Sequence, residues 1–176
     1  MTLEHKFCQL GAVVTVTDGA IISGYASLFG RSDQGGDTVE MGAYKASLAK
    51  GRSIKMLWQH DPAQPIGVWD EVREDAKGLW VKGRLLTDVA KGREAAALIE
   101  AGAIDGLSIG YRTVKARKDD KGGRLLSELE LWEVSLVTFP MLPDARVAAK
   151  GDDPAATMMR DLAAAFQDAR RTMART

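Results

Sequence analysis

Short apolar runs that alternate with polar positions, broken at glycine and aspartate, recur along most of the chain, and three stretches take a helical period instead. Residues 12–17 are rich in β-branched side chains, Asp18-Gly19 is a strong turn pair, and residues 21–28 resume the strand pattern, which predicts a hairpin. Gly24 within the second run is the expected place for a bulge. The glycine-rich stretch 31–36 reads as a loop, and Asp37 and Thr38 after it predict the N-cap of a short helix running through Ala49 to a stop at Gly51. Residues 54–59 predict a strand with His60 at its exit and Asp61-Pro62 ending it. A second hairpin joins 65–72 to 79–86 across 74–78. A helix from about Asp88 to Ala101 is capped by Thr87 or Asp88, ends at Gly102, and carries Ala95, Leu98 and Ile99 on one face. Strands over 106–116 and 124–138, joined by the charged turn 117–123, place Ser108 and Glu133 on neighbouring antiparallel strands.

The two ends differ from this pattern. Residues 1–9 are polar and mixed, and are expected to form a flexible arm. Beyond Phe139-Pro140 the composition changes, and Asp152-Asp153-Pro154 starts a helix in which Met159, Leu162, Ala163 and Phe166 repeat with helical spacing. That helix could pack on the domain, pair with another copy to make a homo-oligomer, or be a removable tail. The predicted organisation is an arm (1–9), one domain (10–147) and a helical tail (148–176). The fold class is mainly β with helices (α+β), most simply a small antiparallel β-barrel with a few helices around its rim.

Length and charge narrow the function. The 176 residues suit one well-cored domain. Lys+Arg and Asp+Glu are both 24, so no basic surface suggests nucleic acid or an anionic membrane, and a protein partner is favoured. Cys8 is alone, which excludes an intrachain disulfide and a cysteine cluster for zinc. No run approaches the roughly 18 apolar residues of a membrane span, and residues 1–11 lack a signal-type apolar core, so a soluble intracellular protein is expected.

Three segments carry candidate chemistry. Ser108 lies in an apolar run fenced by Gly106 and Gly110, which would leave room beside the hydroxyl for a substrate backbone; a close-packed barrel corner would explain the same glycines. Of the two histidines, His5 sits in the polar arm, leaving His60 as the candidate general base, or else a strand-end histidine with one backbone hydrogen bond. Glu133 lies in a strand apolar on both faces, so its carboxylate needs a partner. The N–H of His60 would serve, and an ion pair with Arg84 or Arg112 is the other reading. Glu130, on the opposite strand parity, and Glu128, near the turn, are expected to be solvated. Asp61 ranks below Glu133 as a partner for His60, because adjacent strand residues point to opposite faces. An alcohol, an imidazole and a carboxylate are the parts a serine hydrolase needs.

The segments Gly24-Tyr25-Ala26-Ser27-Leu28-Phe29-Gly30, Gly42-Ala43-Tyr44, Leu57-Trp58-Gln59-His60-Asp61, Gly106-Leu107-Ser108-Ile109-Gly110-Tyr111 and Glu133-Val134-Ser135-Leu136-Val137-Thr138-Phe139-Pro140, in this order, resemble the prohead serine proteases of tailed bacteriophages. The resemblance spans roughly residues 20–147. It implies a closed antiparallel barrel surrounded by helices, similar to the herpesvirus maturation proteases. It also implies Ser108 as nucleophile, His60 as general base and Glu133 as third member, where the herpesvirus enzymes use a second histidine, with oxyanion donors in 141–146. No metal or organic cofactor is implied. The implied substrates are the scaffolding segment of the major capsid protein, a separate scaffold protein, and the protease itself, cut inside the immature procapsid in the bacterial cytoplasm. An inactive assembly factor with the same barrel is the rival reading, and a ligand-binding barrel lacks the pocket aromatics it would need.

Overall fold

The alternation read in the sequence becomes, in the computed structural model, one nine-stranded sheet, described over residues 4–7, 15–17, 21–33, 35–120 and 122–139. In chain order the elements are β1 (Glu4–Phe7), β2 (Thr15–Thr17), β3 (Ile21–Leu28), β4 (Asp37–Val39), α1 (Lys45–Ala49), β5 (Lys55–Trp58), β6 (Asp61–Glu74), β7 (Gly78–Leu85), α2 (Ala90–Glu100), β8 (Gly106–Lys118) and β9 (Arg124–Val137). The hydrogen-bonded order is β1-β8-β9-β5-β6-β7-β3-β2, with β4 added beside β9. The sheet curls enough for β3 and β8, far apart in that order, to touch across its inner face. Inside the curl Ile22, Ala26, Met56, Val81, Ile109, Tyr111, Val134 and Leu136 form one buried cluster. Each such aliphatic side chain contributes roughly 1.5–3 kcal/mol by leaving water. Among the described residues no helix is long and apolar enough to cross a membrane.

Both expected hairpins form, β2 with β3 and β6 with β7, and so does the antiparallel β8–β9 pair. Several expectations are corrected. The described strands follow an open path with β1 and β2 at its ends, a half-barrel instead of a closed barrel, and β4 and β5 both run parallel to β9. The all-antiparallel expectation assumed that successive strands are neighbours, whereas β9 returns between β8 and β5. The irregularity in β3 falls between Tyr25 and Ser27, not at Gly24. The helix expected from Asp37 shrinks to Lys45–Ala49, because residues 37–39 pair with 124–126 instead. Asp37 is buried there, accepting from Arg124 Nε at 2.8 Å and Nη2 at 2.6 Å, and this tertiary contact overrides the local capping signal. Helix α2 starts after Val89 without a side-chain cap, and Arg93 Nη1 donates to the Thr87 and Asp88 carbonyls at 2.9 and 3.3 Å. It buries Gly92, Ala95 and Ile99, with Leu98 partly buried against the core. Residues 4–7, expected in the arm, run antiparallel beside β8, with His5 opposite Gly110 in register. The tail helix lies outside the described residues.

Candidate active site

The first half of β8, residues 106–111, is buried on both faces. Leu107, Ile109 and Tyr111 enter the core cluster, so Ser108 and Gly110, one residue out of phase, face the other way. On β9, Ser135 lies opposite Ser108 and Glu133 opposite Gly110. Directly opposed residues of an antiparallel pair share a face, so Ser108, Ser135 and Glu133 all lie on the side away from the core.

A bulge sets this arrangement. Gly110 faces Glu133, yet the next residue, Tyr111, faces Leu131, which makes Trp132 the extra residue. The Leu131 N–H donates to Ser47 Oγ of α1 at 2.9 Å, so the irregular ladder keeps a partner there. The bulge also reverses the parity of everything before it. Glu130, opposite Arg112, therefore shares the face of Glu133, contrary to the parity expected from the sequence. Nor is it solvated: Glu130 is buried, with Arg112 Nη2 at 2.7 Å, Arg52 Nη2 at 3.2 Å and Lys50 Nζ at 3.5 Å. Burial pushes its carboxyl up, but Arg112, Lys50 and Arg52 together hold it below the ordinary value. The Arg52 guanidinium also stacks 3.9 Å above the Trp132 ring.

His60 arrives from β5, parallel to β9, where the Gln59 N–H continues the ladder to the Leu136 carbonyl at 2.9 Å. Gln59 and His60 then have φ of 51° and 62°, the positive values that the two central residues of a type I′ hairpin turn require. Trp58 pairs with Asp61 across them, so Asp61-Pro62 opens β6 instead of ending a strand. Left-handed backbone at a residue with a Cβ costs roughly 1–2 kcal/mol. Gln59 ties this turn down: its Nε2 donates to Thr138 Oγ1 at 2.6 Å, and its Oε1 accepts the Thr138 N–H at 3.4 Å. Strain held by such contacts fixes where the imidazole points.

The imidazole links the two strands. His60 Nδ1 lies 2.5 Å from Glu133 Oε1, and His60 Nε2 lies 2.6 Å from Ser108 Oγ. A carboxylate can only accept, so the network assigns the proton to Nδ1 and leaves Nε2 to accept the Ser108 hydroxyl. Ser108 is 0% exposed and Glu133 4%, while the His60 side chain is 11% exposed, so the relay is shielded from water. An alcohol hydrogen-bonded to a neutral imidazole, itself backed by a carboxylate, can lose its proton as it attacks an electrophile.

The other candidates pair elsewhere. Asp61 accepts from the Ala63 N–H at 2.8 Å and Gln64 Nε2 at 2.6 Å, and these donors, Ala63 first, lower its pKa. Arg84 pairs with Asp70, and Arg112 with Glu130. The region 141–146, expected to supply oxyanion donors, lies outside the described residues. Among the described residues no group of three or more His, Cys, Asp or Glu is placed to hold a metal ion.

Two contacts of Glu133 escaped the sequence reading. Ser135 Oγ donates to Glu133 Oε2 at 2.5 Å; standing two residues along the same strand, it was findable from strand parity. Gly110, read from the sequence as leaving room for a substrate or as a packed corner, makes room for the Glu133 carboxylate. A Cβ there would meet Glu133 Oε1 at 2.0 Å, Cδ at 2.6 Å and Cγ at 2.8 Å.

Comparison with known proteins places these features in context. Residues 11–160 match the family of caudovirus prohead serine proteases. The chain is 34% identical over 149 residues to the prohead protease of Enterobacteria phage HK97, covering 81% of this chain and 65% of that protein. It is 29% identical over 130 residues to the prohead protease of Escherichia phage T5, covering 70% and 60%. The chain thus spans less than two thirds of the length of these two relatives. The solved bacteriophage T4 capsid assembly protease has the same fold, with a TM-score of 0.64, 17% identity, and coverage of 79% of this chain and 98% of that one.

Proposed function

Because the chain belongs to the caudovirus prohead serine protease family, we propose that it is a serine endopeptidase of capsid maturation in which Ser108 is the nucleophile, His60 the general base and Glu133 the third member. The observation that carries this reading is the continuous relay from Ser108 Oγ through His60 to Glu133, with both links at 2.6 Å or less. His60 Nε2 takes the hydroxyl proton as Ser108 Oγ attacks a peptide carbonyl, and Glu133 stabilises the resulting imidazolium. Backbone N–H groups, proposed within 141–146, hold the oxyanion. The imidazolium then gives its proton to the departing amine as the C–N bond breaks. Water, deprotonated by His60, releases the acyl group and restores Ser108.

The proposed substrates are the scaffolding segment of the major capsid protein or a scaffold protein, and the protease itself, inside the procapsid in the bacterial cytoplasm. Co-expression with the capsid protein of the same particle tests the activity. Capsid subunits should be shortened by the parent chain, and Ser108→Ala and His60→Ala should each lower cleavage by several orders of magnitude, as for other catalytic triads. Unchanged processing by Ser108→Ala would refute the reading.

A further inference from the structure

The last torsion of a glutamate side chain is broad and roughly two-fold, so nothing within Glu133 itself fixes the plane of its carboxylate. In the structure each oxygen is engaged separately: Oε1 accepts from His60 Nδ1 and Oε2 accepts from Ser135 Oγ, both at 2.5 Å. Ser135 is fully buried, lies on the same face of β9 as Glu133, and stands opposite Ser108 in register. On the other side of the carboxylate the Cβ-less backbone of Gly110 lies against Oε1, Cδ and Cγ. The carboxylate therefore sits in a slot, with a glycine for one wall and a hydroxyl donor at its far oxygen.

We propose that Ser135 is a positioning residue of the relay: its hydroxyl holds the Glu133 carboxylate so that Oε1 faces His60 Nδ1. This rests on the proposed roles of Ser108, His60 and Glu133. In this role Ser135 acts through Glu133. A charge-assisted hydrogen bond from a buried hydroxyl is stronger than a neutral one, and it is made without water competing for the acceptor.

An alkyl fluorophosphonate tests this without knowledge of the natural cleavage sequence. Ser108 Oγ attacks phosphorus, the P–F bond breaks, fluoride leaves, and the hydroxyl proton passes to His60, so the maximal labelling rate kinact reports the relay while KI reports binding. With the full chain, Ser135→Ala should lower kinact by about tenfold or more, the scale of a lost charged hydrogen bond, and leave KI unchanged. In a Glu133→Gln background the same substitution should produce no further loss. Ser135→Thr, which keeps the hydroxyl, should recover part of the rate. The proposal is overturned if Ser135→Ala labels at the parent rate, if its effect falls on KI, if it slows the Glu133→Gln variant by the same factor, or if folded Ser135→Thr is as slow as Ser135→Ala. Labelling of Ser108→Ala at the parent rate would instead remove the triad itself.

Discussion

Gly110→Ala is the most direct test of how the sheet builds the site. Gly110 is not among the residues with positive φ, so the backbone there accepts alanine without strain. The new Cβ would stand 2.0 Å from Glu133 Oε1, where ordinary contact begins at 3.4 Å, so the oxygen must retreat by about 1.4 Å. Cδ at 2.6 Å and Cγ at 2.8 Å are also too close, so the whole side chain has to turn away. The link to His60, now 2.5 Å, would then exceed hydrogen-bond length. Misplacing a working group by about 1 Å costs on the order of 10²-fold, and losing the carboxylate's contribution altogether costs about 10⁴-fold, so cleavage should fall between these limits. Stability should fall as well, because a buried carboxylate turned away from its donors keeps its desolvation cost. Fluorophosphonate labelling measures the first effect and thermal unfolding the second. In Glu133→Ala the space is empty, and adding Gly110→Ala should lower the rate no further. Labelling of Gly110→Ala at the parent rate would refute the slot, as would an equal loss in the Glu133→Ala background.

Two further outcomes follow from the glutamates of β9. Glu133→Gln should remain folded but cleave about 10⁴-fold more slowly, because an amide favours the wrong imidazole tautomer and cannot stabilise the imidazolium; Glu130→Gln should retain most of the activity, and the reverse ranking in a capsid-processing assay would refute the assignment. Glu130 has its pKa lowered in the fold, so its stabilising effect is fully present above the unfolded value of roughly 4.3 and is lost as pH falls through the folded value. Urea unfolding from pH 6 downward should therefore show the parent chain losing its advantage over Glu130→Gln in acid, and a gap that stays constant with pH would contradict the ion cluster.

Strand-forming stretches were legible because burial follows their alternation: β3 buries Ile22, Gly24 and Ala26, and β7 buries Leu79, Val81, Gly83 and Leu85. Less legible was anything decided between distant segments. Asp37 carries a local signal for a helix start, and only its pairing with Arg124, 87 residues away, makes it part of a strand. The bulge at Trp132 has no local signature, and without it parity put Glu130 on the wrong face. The turn at Gln59 and His60 was equally hidden, because positive φ is uncommon at any non-glycine residue, even at the more tolerant histidine, and the contacts that hold it there come from Leu136 and Thr138. Glu133 could be singled out because a carboxylate flanked by apolar residues on both faces demands a partner. Which partner it takes depends on the parallel β5–β9 pairing that a hairpin-by-hairpin reading passes over.

That same pairing has a consequence for timing. His60 and Ser108 stand 48 residues apart in the chain, and His60 and Glu133 stand 73 apart. β9 is the last strand described, and it brings both Glu133 and the Leu136 and Thr138 groups that seat the His60 turn. Contacts of such long sequence separation form late, after most loop-closure entropy has been lost. A ribosome releasing the chain from its N-terminus delivers His60 and Ser108 before the strand that aligns them. On the proposed triad, a growing polypeptide therefore lacks both the carboxylate and the groups that seat the imidazole until β9 has been synthesised.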